Sequence, residues 1–104
     1  MAYLQAQGLR LLARNYQVPS RAGGEIDLIL QESDGTAVFV EVRSRSSSDF
    51  GGAGASIGAA KQRKLVQAAQ HWLQTSGHAG ACRFDAVLIE GHALQWLRGA
   101  FDAA

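Results

Sequence analysis

With 104 residues, 47% of them apolar and 18% charged, the chain has the make-up of one folded domain around a single core and excludes an intrinsically disordered segment. Its formal net charge of +1 does not by itself call for a polyanionic partner. Cys82 is the only cysteine, which excludes an internal disulfide and a thiolate zinc cluster, and the absence of an apolar run near the roughly 20 residues that cross a bilayer predicts a cytoplasmic protein with no membrane partner.

Residues 3–8 read as the tail of a helix that Gly8 terminates. Leu9–Val18 is rich in apolar residues and stops at Pro19, as expected of a first strand near a sheet edge. Two further strand-like runs follow, Glu25–Ile29 and Phe39–Arg43. They are joined through Ser33-Asp34-Gly35, a three-residue loop with glycine where a left-handed conformation is required, and Glu32 and Thr36 close the ladder. Residues 46–58 form a small-residue loop in which Gly51, Gly52, Gly54 and Gly58 offer a backbone that a ligand can approach closely, without phosphate-loop spacing. Ala59–Ser76 has the periodicity of an amphipathic helix, with Leu65, Val66, Ala69, Trp72 and Leu73 as its apolar stripe and Gly77 as its stop. Cys82–Glu90 is a strand that turns at Gly91-His92 into a short last strand, Ala93–Leu97, with Trp96 as a packing residue. His71, His78 and His92 fall on a helix, a loop and a turn, with no metal-ligand or triad spacing.

The hairpin carries charge where apolar residues are expected. Alternation puts Glu25, Asp27 and Ile29 on one face of the first run and Phe39, Glu41 and Arg43 on one face of the second. Counting back from Glu32 and Thr36 sets Ile29 against Phe39, Asp27 against Glu41 and Glu25 against Arg43. A slip of one residue would send the two carboxylates to opposite faces. In this register Asp27 and Glu41 have Cβ atoms roughly 5 Å apart, where like charges destabilise a sheet. Either a divalent cation neutralises them, magnesium being commonly held by one or two carboxylates with waters and phosphate, or Arg43 does so in an ion-pair cluster that only fixes register. Between Arg43 and Lys64 lie Arg43, Arg45, Lys61, Arg63 and Lys64 against Asp49 alone, a local basicity that suits a phosphate backbone. Lys61 lies one turn before Leu65 and reaches over the sheet toward Glu41, or snorkels over the core. Arg83 and Asp85 share a face, either as a distant part of the site or, in the favoured reading, as a charge pair at a sheet border.

Gly24-Glu25-Ile26-Asp27-Leu28-Ile29 and Val38-Phe39-Val40-Glu41-Val42-Arg43-Ser44-Arg45, followed by Phe50-Gly51, Lys61-Gln62-Arg63-Lys64, Ala68-Ala69 and Cys82-Arg83-Phe84-Asp85, resemble the YraN-like family of uncharacterised bacterial proteins over nearly the whole chain. That family is similar to the restriction-endonuclease-like fold and to archaeal Holliday-junction resolvases, whose PD-(D/E)xK pattern places an Asp on one strand and Glu-x-Lys on the next. The resemblance implies an α/β domain over residues 1–104, with a mixed sheet of about five strands, a central charged hairpin, flanking helices and a shortened N-terminal helix. It also implies a metal-dependent nuclease acting on DNA, branched or single-stranded. Asp27 and Glu41 match the ligands of a Mg2+ or Mn2+ ion, with Glu25 in support. Arg43 stands where the pattern has Lys, and arginine cannot serve as a general base, although it can clamp a phosphate oxygen; Lys61 is a candidate for the displaced lysine. Arg43, Arg45, Lys61, Arg63 and Lys64 are the candidate nucleic-acid contacts. Two other readings stay open: a nucleic-acid-binding module that has lost the chemistry, and a protein-interaction scaffold. The residues carry no signal for an oligomeric state.

Overall fold

A computed structural model describes residues 2–19, 24–45 and 57–101. The elements in chain order are α1 (Ala2–Ala6), β1 (Arg10–Gln17), β2 (Glu25–Gln31), β3 (Ala37–Arg45), α2 (Ala59–Ser76), β4 (Cys82–Glu90) and β5 (Ala93–Phe101). The strands form one mixed five-stranded sheet in the order β1-β2-β3-β4-β5. Three neighbouring pairs are antiparallel, and β3 pairs with β4 in parallel. Antiparallel neighbours need only a turn, whereas a parallel pair needs a crossover of roughly a dozen residues or more; α2 lies in that crossover. The fold is therefore the mixed α/β arrangement expected, with the charged hairpin reaching the middle strand, β3.

The β2–β3 turn has the expected chemistry. Gly35 is left-handed at φ 96°, Glu32 N donates to Thr36 O at 2.9 Å, and Asp34 Oδ1 accepts from Thr36 N at 2.9 Å. That last bond holds the Asp34 carboxyl below its ordinary pKa. Four residues into the ladder, Ile29 faces Phe39, the register counted from the sequence.

Each face of the sheet buries its own apolar cluster. On one, Ile26, Ile29, Phe39, Phe84 and Ala86 pack with Leu65, Ala68 and Ala69 of α2, and Trp72 meets Phe39 edge-on with ring centroids 5.7 Å apart. Gly77 ends α2 in the left-handed conformation at φ 72°, as expected of a C-cap glycine. Gly24 is pressed against this helix, so that a Cβ there would lie 2.6 Å from the Lys64 carbonyl oxygen. On the other face, Leu28, Leu30, Val38, Val40 and Val87 pack with Leu4 and Leu9. Helix α1 has five residues, too few to persist alone; fully buried Leu4 and the edge-on contact of Tyr3 with Trp96 fix it to the sheet.

Two expectations need correction. The last strand does not stop at Leu97 but runs to Phe101, because Phe101 stacks on Phe84 with centroids 4.7 Å apart and Gly99 N donates to Asp85. Both contacts are with another strand, so the local pattern gave no sign of them. Strict alternation also fails in β2, where Ile26 and Ile29, three residues apart, both join the α2-facing cluster. Glu25, Asp27 and Ile29 therefore do not share one face. Of the glycine-rich stretch 46–58 assigned to a ligand-approaching loop, residues 46–56 lie outside the described residues; Ile57 is buried in the core and Gly58 is the N-cap of α2.

Arg83 and Asp85 are a structural pair, as expected, but far more deeply set than a charge pair at a sheet border. Asp85 is 1% exposed. Its Oδ1 accepts from Arg83 Nε at 2.8 Å and Gly99 N at 3.0 Å, and its Oδ2 from Arg83 Nη2 at 3.0 Å and Trp96 Nε1 at 2.9 Å. Arg83 also bonds Glu32, and the hydrogen bonds to Asp85 push the guanidinium further into its charged range. A buried carboxylate with four donors is well compensated, and removing it orphans them. Asp85→Ala is expected to cost about 3 kcal/mol, the low end for breaking a buried pair because Arg83 keeps some access to water. In urea unfolding this is read as a lower midpoint at unchanged slope.

Candidate acidic site on the central strands

The β2–β3 ladder is paired from Gln31 and Ala37 to Leu28 and Val40. One step further it would place Asp27 against Glu41. There a side chain takes over from the backbone, as Asp27 Oδ2 accepts from Val42 N at 2.8 Å. The bond ties Asp27 to the residue between Glu41 and Arg43 and brings its carboxylate beside that of Glu41, close enough for the Asp27 charge to act on Glu41.

Glu41 is 7% exposed. Its Oε2 lies 3.5 Å from Lys61 Nζ and 3.6 Å from Arg43 Nε, so of the two readings open for Lys61 the structure shows the one that reaches from α2 toward Glu41. Arg43 Nε is itself buried and has no hydrogen-bond partner among the described residues, an arrangement that costs free energy unless another acceptor is supplied. Burial pushes the Glu41 carboxyl above its ordinary value of 4.5; Lys61 and Arg43 pull it down, and the Asp27 charge adds to the rise.

The other candidate residues spread out from this centre. Glu25 turns to the outer strand, where Gln17 Nε2 donates to its Oε1 at 3.3 Å. Among the described residues no ion pair joins Glu25 to Arg43, and the paired ladder ends at Leu28 and Val40, before it reaches them. Arg63 and Lys64 are exposed on the first turns of α2, and Arg45 ends β3. The first turn of α2 has no acidic residue and no side-chain cap. Lys61, Arg63 and Lys64 thus stand at the positive end of a helix dipole, where cations are unfavourable and anions are attracted.

Beside Asp27 opens a cleft of about 390 Å³, lined by Arg14, Asn15, Asp27, Leu28 and Val42. Sequence reasoning did not find Arg14 and Asn15, because they lie on an edge strand and reach Asp27 only through sheet pairing. Nor did it join Tyr16 to His71, whose Oη and Nδ1 share a hydrogen bond between β1 and α2.

Among the described residues no three His, Cys, Asp or Glu side chains form a metal-binding group. The donor set is two carboxylates, which suits magnesium or manganese completed by water and phosphate rather than an all-protein cage. A cation beside Asp27 and Glu41 would also relieve the charge repulsion that helps raise Glu41, so the residues present fit such an ion. Among the described residues no helix is long and apolar enough to cross a membrane.

Comparison with known proteins gives the family. Residues 1–89 match the model of Uncharacterised protein family UPF0102. A UPF0102 protein of Acidovorax sp. (strain JS42) is 67% identical over 104 residues, covering 100% of this chain and 79% of the relative. Another, of Paracidovorax citrulli, is 66% identical over 103 residues, covering 99% and 76%. The chain belongs to the UPF0102 family, the YraN-like family that its motifs resemble.

Because the folded-state pKa of Glu41 is raised, the folded protein binds that proton more tightly than the unfolded chain. The group therefore lowers stability as pH rises from about 4.5 through the folded pKa, and the loss is complete above it. In metal-free buffer Glu41→Gln is expected to raise the melting temperature at pH 7 and to lose that advantage below pH 4.5, as measured by thermal melts across the range.

Proposed function

We propose that this protein is a metal-dependent nuclease with a restriction-endonuclease-like core that hydrolyses phosphodiester bonds in DNA. The observation that carries this reading is the arrangement around Glu41: a second carboxylate, Asp27, is held beside it by the Val42 amide, and Lys61 and Arg43 stand 3.5 and 3.6 Å from its Oε2. Adjacent carboxylates ringed by cations suit a site that receives both a divalent cation and a phosphate.

Asp27 and Glu41 would hold the magnesium or manganese ion. When bound, such an ion polarises a phosphoryl oxygen and lowers the pKa of a water. The chain's own residues supply the rest. Arg43 Nε has no hydrogen-bond partner among the described residues and the group stays charged at any relevant pH, so its task is to clamp a phosphate oxygen and stabilise charge in the transition state. Lys61 adds a second positive charge from α2, and Arg63 and Lys64 extend the basic surface along the first turns of that helix. Exposed cations at a helix N-terminus attract a phosphate backbone whatever its sequence.

One observation favours a second reading, a nucleic-acid-binding module without turnover. Arg43 occupies the place of the pattern's lysine and cannot take a proton from water. That reading predicts binding that falls steeply with salt and ignores metal.

Incubation with four-way, flap and single-stranded DNA in magnesium or manganese tests the proposal. The nuclease reading expects cleavage that requires metal and falls by about 100-fold or more in Asp27→Asn and in Glu41→Ala, with manganese affinity lost in Asp27→Asn. Salt-sensitive binding without cleavage, unchanged or improved by Glu41→Ala, would support the binding module instead.

A further inference from the structure

The cleft beside Asp27 is built from two irregularities in one short strand. Register shifts between Leu11 and Ala13, a bulge of the kind that re-aims side chains. Two residues on, Asn15 adopts φ 48°, the left-handed region, and is the only described residue other than glycine to do so. Such a conformation inside a strand is disfavoured, and strain of this kind collects at binding sites. Arg14 pairs with Leu28 and Tyr16 with Ile26, so the left-handed residue falls opposite Asp27.

The lining has a consistent chemistry. The ion pairs among the described residues join Glu41 to Arg43 and Lys61, and Arg83 to Glu32 and Asp85, which leaves exposed Arg14 without a carboxylate partner among them. Leu28 and Val42 give the cleft apolar walls beside the amide of Asn15 and the carboxylate of Asp27. At about 390 Å³ it falls in the range of roughly 300–1,000 Å³ typical of small-molecule sites. A guanidinium at its margin and apolar walls within match one nucleotide, with the phosphate on the arginine and the sugar or base against Leu28 and Val42.

We infer that Arg14 and Asn15 form a nucleotide subsite that seats the phosphodiester group neighbouring the one at Asp27 and Glu41. The inference rests on the nuclease reading for its substrate class and adds a contact on the outer strand β1, beside Asp27 on the side of the sheet where Leu28 and Val42 pack. Arg14 is a positioning residue here, since it touches a phosphate that does not react.

The test uses four-way DNA and thymidine 3′,5′-bisphosphate as probes, with Arg14→Gln, Arg14→Lys and Asn15→Gly beside the wild type. The expected result for Arg14→Gln is roughly tenfold weaker DNA binding, with the log–log salt slope reduced by about one. Arg14→Lys should recover part of the affinity, while melting temperature and manganese affinity in the absence of DNA stay unchanged. Asn15→Gly should keep or raise the melting temperature, because glycine accepts the left-handed backbone, yet weaken binding of the bisphosphate, a combination that a purely structural asparagine would not give. Wild-type affinity and salt slope in Arg14→Gln, with cleavage intact, would overturn the subsite and leave the nuclease standing. Bisphosphate binding that depends on Arg14 in a protein that never cleaves would do the reverse, and no binding of either probe by the wild type would overturn both.

Discussion

Glu41 sits on the middle strand of the sheet, almost wholly removed from water, and a carboxylate in that position must be answered by positive charge. Much of the site's arrangement follows from that requirement. Lys61 leans from α2 to within 3.5 Å, although a lysine in the first turn opposes the helix dipole. Arg43 turns back along its own strand to 3.6 Å, its Nε without a hydrogen-bond partner among the described residues. Asp27 draws its own compensation from the Val42 amide and so is held beside the carboxylate it repels.

The chain contains a second buried carboxylate, and the contrast between the two is instructive. Asp85 receives four hydrogen bonds, two from one guanidinium, one from an indole and one from a backbone amide. Nothing in that arrangement calls for a further ligand, and its consequence is structural, since it ties β4 to β5 and, through Arg83, to Glu32 at the hairpin turn. Among the described residues Glu41 has only two longer ion pairs and a like charge alongside. The folded protein tolerates that imbalance through a raised pKa, and a bound cation would correct it. The difference in satisfaction, more than burial or charge, sets the candidate site apart from the structural pair.

Much of the fold was legible in the sequence because its signals are local. The stripe of α2 and its glycine stop rest on a helical period, and the β2–β3 register follows from one turn. Counting from Glu32 and Thr36 placed Ile29 on Phe39 and brought Asp27 to the level of Glu41 without any tertiary information. The same count failed two residues later for Glu25 and Arg43. Counting assumes that a ladder continues, and here a carboxylate displaces it. The full length of β5 was likewise hidden, since Phe101 and Gly99 are ordered by Phe84 and Asp85 on the neighbouring strand.

By itself, the sequence determined the identity and spacing of the charged residues, the hairpin that aligns Asp27 with Glu41, and the helix that carries Lys61, since each depends on side-chain periodicity and turn chemistry within a few neighbouring residues. Only the tertiary structure decided which charges are compensated. It set Asp85 among its four donors, turned Glu25 toward Gln17, and laid Arg14 and Asn15 of an edge strand beside Asp27. Those outcomes depend on sheet order, bulges and the packing of α2, which bring together residues separated by many positions in the chain, and hydrogen-bond satisfaction is a property of that assembled neighbourhood.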